Sequence, residues 1–114
     1  MKRVRLAEGL DVTAIGLGTA PLGGLFSPVS TADAGAAIER AWSLGVRFFD
    51  TAPLYGFGLA ERRLGSFLRQ QQRDSFAIST KVGRLLRQPL SVRKTITTRE
   101  HHPSGRNSTS ATTA

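Results

Sequence analysis

Hydrophobic and polar positions change period several times over the first 87 residues. Val4-Arg5-Leu6 and Val12-Thr13-Ala14-Ile15 alternate on either side of a turn at Gly9, which predicts a β-hairpin. Gly16-Leu17-Gly18-Thr19 then runs into a loop carrying Pro21, Gly23, Gly24 and Pro28. Thr31-Ala32-Asp33 opens a helix with its acid in the first turn. From Ala34 to Leu44 the spacing gathers Ala37, Ile38, Ala41, Trp42 and Leu44 on one face, and Gly45 is placed to end the run. Val46 to Thr51 predicts a strand, Leu59 to Arg69 a helix with Leu64, Phe67 and Leu68 inward, and Phe76 to Val82 a further strand. Strands alternating with helices of this kind predict βα units around a parallel sheet.

From Gln88 the periodicity stops. Residues 88–114 hold ten Ser/Thr among 27 and no aromatic side chain. Such composition buries too little apolar surface to offset the entropy of ordering, so a disordered tail is predicted there. A genuine tail and the product of a shifted reading frame both account for the abrupt change. The expected organisation is thus one folded unit, 1–87, and a Ser/Thr-rich basic segment, 88–114.

The full chain of 114 residues carries a formal charge of +8, which invites a nucleic-acid reading. Residues 84–114 account for most of it, with six Lys/Arg against one Glu. That segment offers no aromatic residue on which a base could stack and no recognisable module, so no nucleic-acid partner is expected. With no cysteine, disulfides, thiolate metal sites and cysteine nucleophiles are excluded. His101-His102 reads as part of the flexible tail, not as a metal site, and Asn107-Ser108-Thr109 as a chance glycosylation triplet. The N-terminal Met-Lys-Arg-Val-Arg-Leu-Ala-Glu has no apolar run of signal-peptide type, and no segment reaches the roughly 20 apolar residues of a membrane span. A cytoplasmic protein with no membrane partner is expected.

Three chemically useful residues fall where predicted strands run out: Asp50, Tyr55 and Lys81. By alternation Val46, Phe48 and Asp50 share one face of their strand, and Ala77, Ser79 and Lys81 one face of the next. In a parallel α/β barrel that rim is where sites are built. The three make sense together. A free phenol gives up its proton only near pH 10; an ammonium beside it favours the phenolate, and a carboxylate holds that ammonium charged. Such a phenol can donate a proton to a carbonyl oxygen or take one from an alcohol. The accompanying hydride must come from a cofactor, since no side chain supplies one. Gly16-x-Gly18 is a weak match to a dinucleotide fingerprint, because Pro21 stands at the third glycine. Arg62-Arg63 reads as a solvated helix face.

The blocks "LGLGTAPLGG", "GVRFFDTAPLYGFGLAERRLG" and "AISTKVGR" resemble the N-terminal part of an aldo-keto reductase. The likeness covers about residues 4–87 and is strongest to the sugar-dehydrogenase and pyridoxal 4-dehydrogenase branch. The resemblance implies a (β/α)8 barrel with a hairpin closing its base, here a partial, truncated one of about three strands. It implies hydride transfer between NADP or NAD and an aldehyde, ketone or sugar hemiacetal. Asp50 then stands for the family's aspartate, Tyr55 for its acid/base tyrosine and Lys81 for the lysine that tunes it. Gly18, Thr19 and Thr51, with Asp50, match the edge of the nicotinamide site; no metal is implied. The family's catalytic histidine belongs to the next strand, and its main cofactor-gripping segments come later still. Neither His101 nor His102 matches that histidine. An inactive fragment of such an enzyme, self-associating through an open barrel edge, is therefore the alternative expectation.

Overall fold

In the computed structural model, which describes residues 1–87, an N-terminal hairpin precedes a three-stranded parallel sheet with two helices on one side. The Ser/Thr-rich segment 88–114, expected to be disordered, lies outside the described residues, and His101, His102 and Asn107 with it. The hairpin pairs β1 (Arg3–Ala7) antiparallel with β2 (Leu10–Thr13), and Gly9 turns it at φ +76°. The chain continues through β3 (Leu17–Gly18), α1 (Thr31–Ser43), β4 (Phe48–Asp50), α2 (Leu59–Leu68) and β5 (Ala77–Ser79). The sheet order is β3-β4-β5, all parallel, so each helix is a crossover between neighbouring strands. No helix among the described residues is long and apolar enough to cross a membrane.

Local signals explain the helix limits. Ser30 Oγ accepts the Asp33 N–H at 3.0 Å, a cap worth about 1 kcal/mol, and Asp33 sits in the first turn as expected. At the other end Gly45 adopts φ +96°, which lets the chain reverse into β4. The expected apolar face of α1 is narrower than its sequence pattern. Ala34 and Ile38 are buried, whereas Ala37 and Leu44 face solvent. A helix lying on a sheet through one stripe buries positions four apart, and residues a quarter-turn away stay wet.

Pairing, not propensity, sets the strand lengths. The expected strands 46–51 and 76–82 contract to Phe48–Asp50 and Ala77–Ser79, the residues that face a partner in register. Lys81 lies two residues beyond β5. Conversely Leu17–Gly18, given no strand assignment from the sequence, is a strand because β4 offers it a ladder: Leu17 pairs with Phe49 and Gly18 with Asp50.

The core fills the space between sheet and helices. Leu22, Ala34, Ile38, Val46, Phe49, Leu64, Leu68 and Phe76 form one cluster, with Phe49 and Ile38 fully buried. Burying such side chains stabilises by about 1.5–3 kcal/mol each. Trp42 joins α1, α2 and the sheet: it stacks on Phe49 at 6.3 Å and meets Phe67 and Phe76 edge-on at 5.6 and 6.2 Å. The Arg47 guanidinium lies 3.6 Å from the Trp42 ring centroid and donates to the carbonyls of Trp42 and Val46.

Candidate active site

The two faces of the sheet follow from the register. Phe48 lies opposite Ala77 and Asp50 opposite Ser79, so these four share a face with Gly18, which pairs with Asp50. Phe49 and Ile78 take the other face, toward the helices. Asp50 ends β4 on the barrel side, and Lys81 rises two residues past Ser79 on the same side.

Lys81 connects the predicted group. Its Nζ lies 3.5 Å from Asp50 Oδ2, donates to the Thr51 carbonyl at 3.1 Å and sits 5.1 Å from the centroid of the Tyr55 ring. The ion pair is half exposed, and pairs of that kind contribute about 0–1 kcal/mol to stability. Its interest is positional: one ammonium is shared between a carboxylate and a phenol. The Tyr55 hydroxyl forms no hydrogen bond among the described residues. Beside it a cavity of about 290 Å³ is lined by Ala52, Pro53, Leu54, Tyr55, Lys81, Val82 and Arg84. Among the described residues no group of three metal-ligating side chains assembles.

Tyr55 is set by its loop. The Tyr55 N–H donates to Ala52 O at 3.1 Å, and Tyr55 O accepts from Ala60 N–H at 3.1 Å in the first turn of α2. Between them Gly56, Phe57 and Gly58 all take positive φ, at +68°, +52° and +90°. For Phe57 that conformation costs of order 1 kcal/mol or more. A second loop presses on this one. A Cβ at Gly23 would lie 2.6 Å from the Tyr55 carbonyl group, and one at Gly56 would meet the Gly23 carbonyl oxygen at 2.3 Å. The two loops therefore pack backbone against backbone.

The expected cofactor-edge residues divide. Gly18 sits beside Asp50, and a Cβ there would meet nothing within 4 Å, so the barrel side is open above it. Thr19 is fully buried, and both its N–H and its hydroxyl donate to Asp50 O, at 2.9 and 3.0 Å. It anchors the end of β4. Thr51 brings its carbonyl to Lys81, but its side chain takes the opposite parity to Asp50. It lines a separate cavity with Glu61, Leu64, Gly65, Leu68, Ile78 and Thr80, and its Oγ1 is buried without a partner among the described residues. On that helix side Thr80 Oγ1 donates to Glu61 Oε1 at 2.8 Å, tying α2 to the exit of β5.

Sequence reasoning missed Arg63. Arg62 is exposed, as a solvated face should be, but Arg63 turns inward: Nη1 donates to Leu22 O at 2.6 Å and Nη2 to Thr31 Oγ1 at 3.3 Å. Its acceptors lie 41 and 32 residues away, so no local pattern announces them. The parity of Thr51, by contrast, was readable from alternation past Asp50.

Comparisons with known proteins agree on one family. The profile of the Aldo/keto reductase family matches residues 14–112. Over 85 residues the chain is 56% identical to a pyridoxal 4-dehydrogenase of Microbacterium luteolum, covering 75% of this chain and 25% of that protein. Over 81 residues it is 53% identical to a D-threo-aldose 1-dehydrogenase of a Pseudomonas species, covering 71% and 25%. Among solved structures, an aldo-keto reductase of Bacillus halodurans in its holo form superposes with a TM-score of 0.66 at 31% identity, over 76% of this chain and 28% of that one. The chain spans about a quarter of the length of the curated relatives it matches, and the architecture is accordingly part of a (β/α)8 barrel.

Proposed function

The chain belongs to the Aldo/keto reductase family, and from that membership we propose that residues 1–87 supply the proton-handling side of an NAD(P)-dependent oxidoreductase acting on an aldehyde, ketone or sugar hemiacetal. The observation that carries the reading is Lys81, held between the Asp50 carboxylate and the Tyr55 ring at the open end of the sheet. In the reducing direction Tyr55 gives its hydroxyl proton to the carbonyl oxygen; in the oxidising direction it takes the proton of the alcohol. Lys81 lies against the Tyr55 ring, and Asp50 holds its ammonium in place. Thr19 fixes the carbonyl end of β4 from which Asp50 projects.

The open ground above Gly18 and the half-exposed Asp50 fit the edge of a nicotinamide, and these two would hold it, with Thr51 contributing through the backbone that also receives Lys81. When bound, that group supplies or accepts the hydride. NADP and NAD are covered alike. The same reading is of a cytoplasmic protein with a small-molecule substrate and no nucleic-acid or membrane partner.

The length matched to the relatives favours a second statement. A closed barrel takes about 250 residues, and the described residues contribute three parallel strands. Residues 1–114 by themselves should give little or no turnover and should self-associate through the open edge of β5. The test is a chimera in which residues 1–87 replace the matching segment of the Microbacterium pyridoxal 4-dehydrogenase. Steady-state assays with aldehydes and sugars, in NADPH and NADH, should show turnover that falls about 10²-fold or more on Tyr55→Phe. Turnover untouched by that substitution overturns the assignment, and clear turnover by residues 1–114 alone overturns the second statement.

A further inference from the structure

Arg63 is half-buried and brings part of its guanidinium against the Leu22–Gly23 loop. Its guanidinium has no carboxylate partner among the described residues, and Nε is buried without a hydrogen bond. Taking a charged group out of water is unfavourable unless its bonds fix something in return. What they fix are three segments around Tyr55. Nη1 holds the carbonyl of Leu22, the residue before Gly23, and the Gly23 backbone presses directly on the Tyr55 carbonyl and on Gly56. Nη2 holds the hydroxyl of Thr31, the first residue of α1. Arg63 itself rides on α2, the helix that begins as soon as the Tyr55 loop ends.

We infer that Arg63 is a positioning residue for Tyr55, acting through the Leu22–Gly23 backbone and not through any contact with the phenol. The inference rests on the reading of Tyr55 as the proton donor for its functional meaning, but its geometry stands apart from turnover. The loop after Tyr55 has three successive residues at positive φ, and Phe57 among them holds a strained conformation. Gly23 lies against that loop, and Arg63 keeps Gly23 there.

The chain has one tyrosine and one tryptophan, so each gives its own spectroscopic signal. In the 114-residue chain labelled with ring-¹³C tyrosine, Arg63→Ala should displace the Tyr55 ring resonances by more than a linewidth while the Trp42 indole N–H signal stays in place. Arg63→Lys, which can reach one acceptor but not both, should give a smaller displacement in the same direction. Arg62→Ala, on the exposed neighbour, should give none. Tyr55 resonances unmoved in Arg63→Ala, with Trp42 intact, overturn the inference, as does an equal displacement in Arg62→Ala. Should Arg63→Ala lose the Trp42 signal through unfolding, Arg63→Lys and Thr31→Val decide: displacement of Tyr55 in either supports the role, and displacement in neither overturns it. If Tyr55→Phe proves harmless to turnover in the chimera, the enzymatic reading fails while this measurement still reports whether Arg63 holds the loop.

Discussion

Phe49 and Ile78 are register partners on the same face of the same sheet, yet one is fully buried and the other 40% exposed. The strands that carry them differ in company. β4 has a neighbour on each side and a helix on either flank of its sequence, and it contributes the aromatic around which Ile38, Leu64 and Trp42 gather. β5 has one neighbour, and its outer edge is unpaired among the described residues. The same contrast appears in the loops beyond them. After β4 the chain is wedged against Gly23; after β5 it passes through Val82, 96% exposed, and Leu85, 82% exposed. In a parallel wall, burial of a strand is conferred by its neighbours, and the strand's own sequence only makes it eligible.

Three sets of substitutions press on that contrast. The largest effect is expected at Phe49→Ala, which removes the centre of the core and should cost about 3–5 kcal/mol; urea unfolding followed by Trp42 fluorescence should lose its cooperative transition or shift it far down. Next comes the pair of loop glycines. Gly56→Ala places a Cβ against the Gly23 carbonyl on top of a backbone at φ +68° and should cost about 2–3 kcal/mol, whereas Gly83→Ala, at φ +105° with nothing within 4 Å, should cost about 1 kcal/mol. The difference between their midpoints in the same titration isolates the loop-to-loop contact. The smallest effect is expected at Ile78→Ala, about 1 kcal/mol, because 40% of the residue is already exposed to water. A cost at Ile78 matching that at Phe49 would mean that β5 is as well covered as β4, and the contrast would be gone.

The grouping of Asp50, Tyr55 and Lys81 was more legible than what supports it. Asp50, Tyr55 and Lys81 could be grouped from alternation and from where strands stop, because side-chain parity is a local property of the chain. The hairpin and both helices were legible for the same reason, through turn residues, an acid in a first helical turn and apolar spacing. β3 was not, since Leu17–Gly18 is too short to carry a period and becomes extended only when β4 supplies the ladder. Nor was the role of Arg63, because a cation on a helix reads as solvated until its acceptors arrive from distant segments. Thr51 shows the opposite fault. The family resemblance set it at the cofactor edge, whereas its alternation past Asp50 turns its side chain toward the helices.

The outer edge of β5, unpaired among the described residues, also works as a gauge. A strand laid parallel along Ala77–Ser79 takes its alternation from them, so only every second side chain it carries can look toward Lys81 and Tyr55. A slip of one residue would turn the entire set away. Whatever strand pairs with that edge must set its register against Ala77–Ser79, and that register decides which of its residues enter the site.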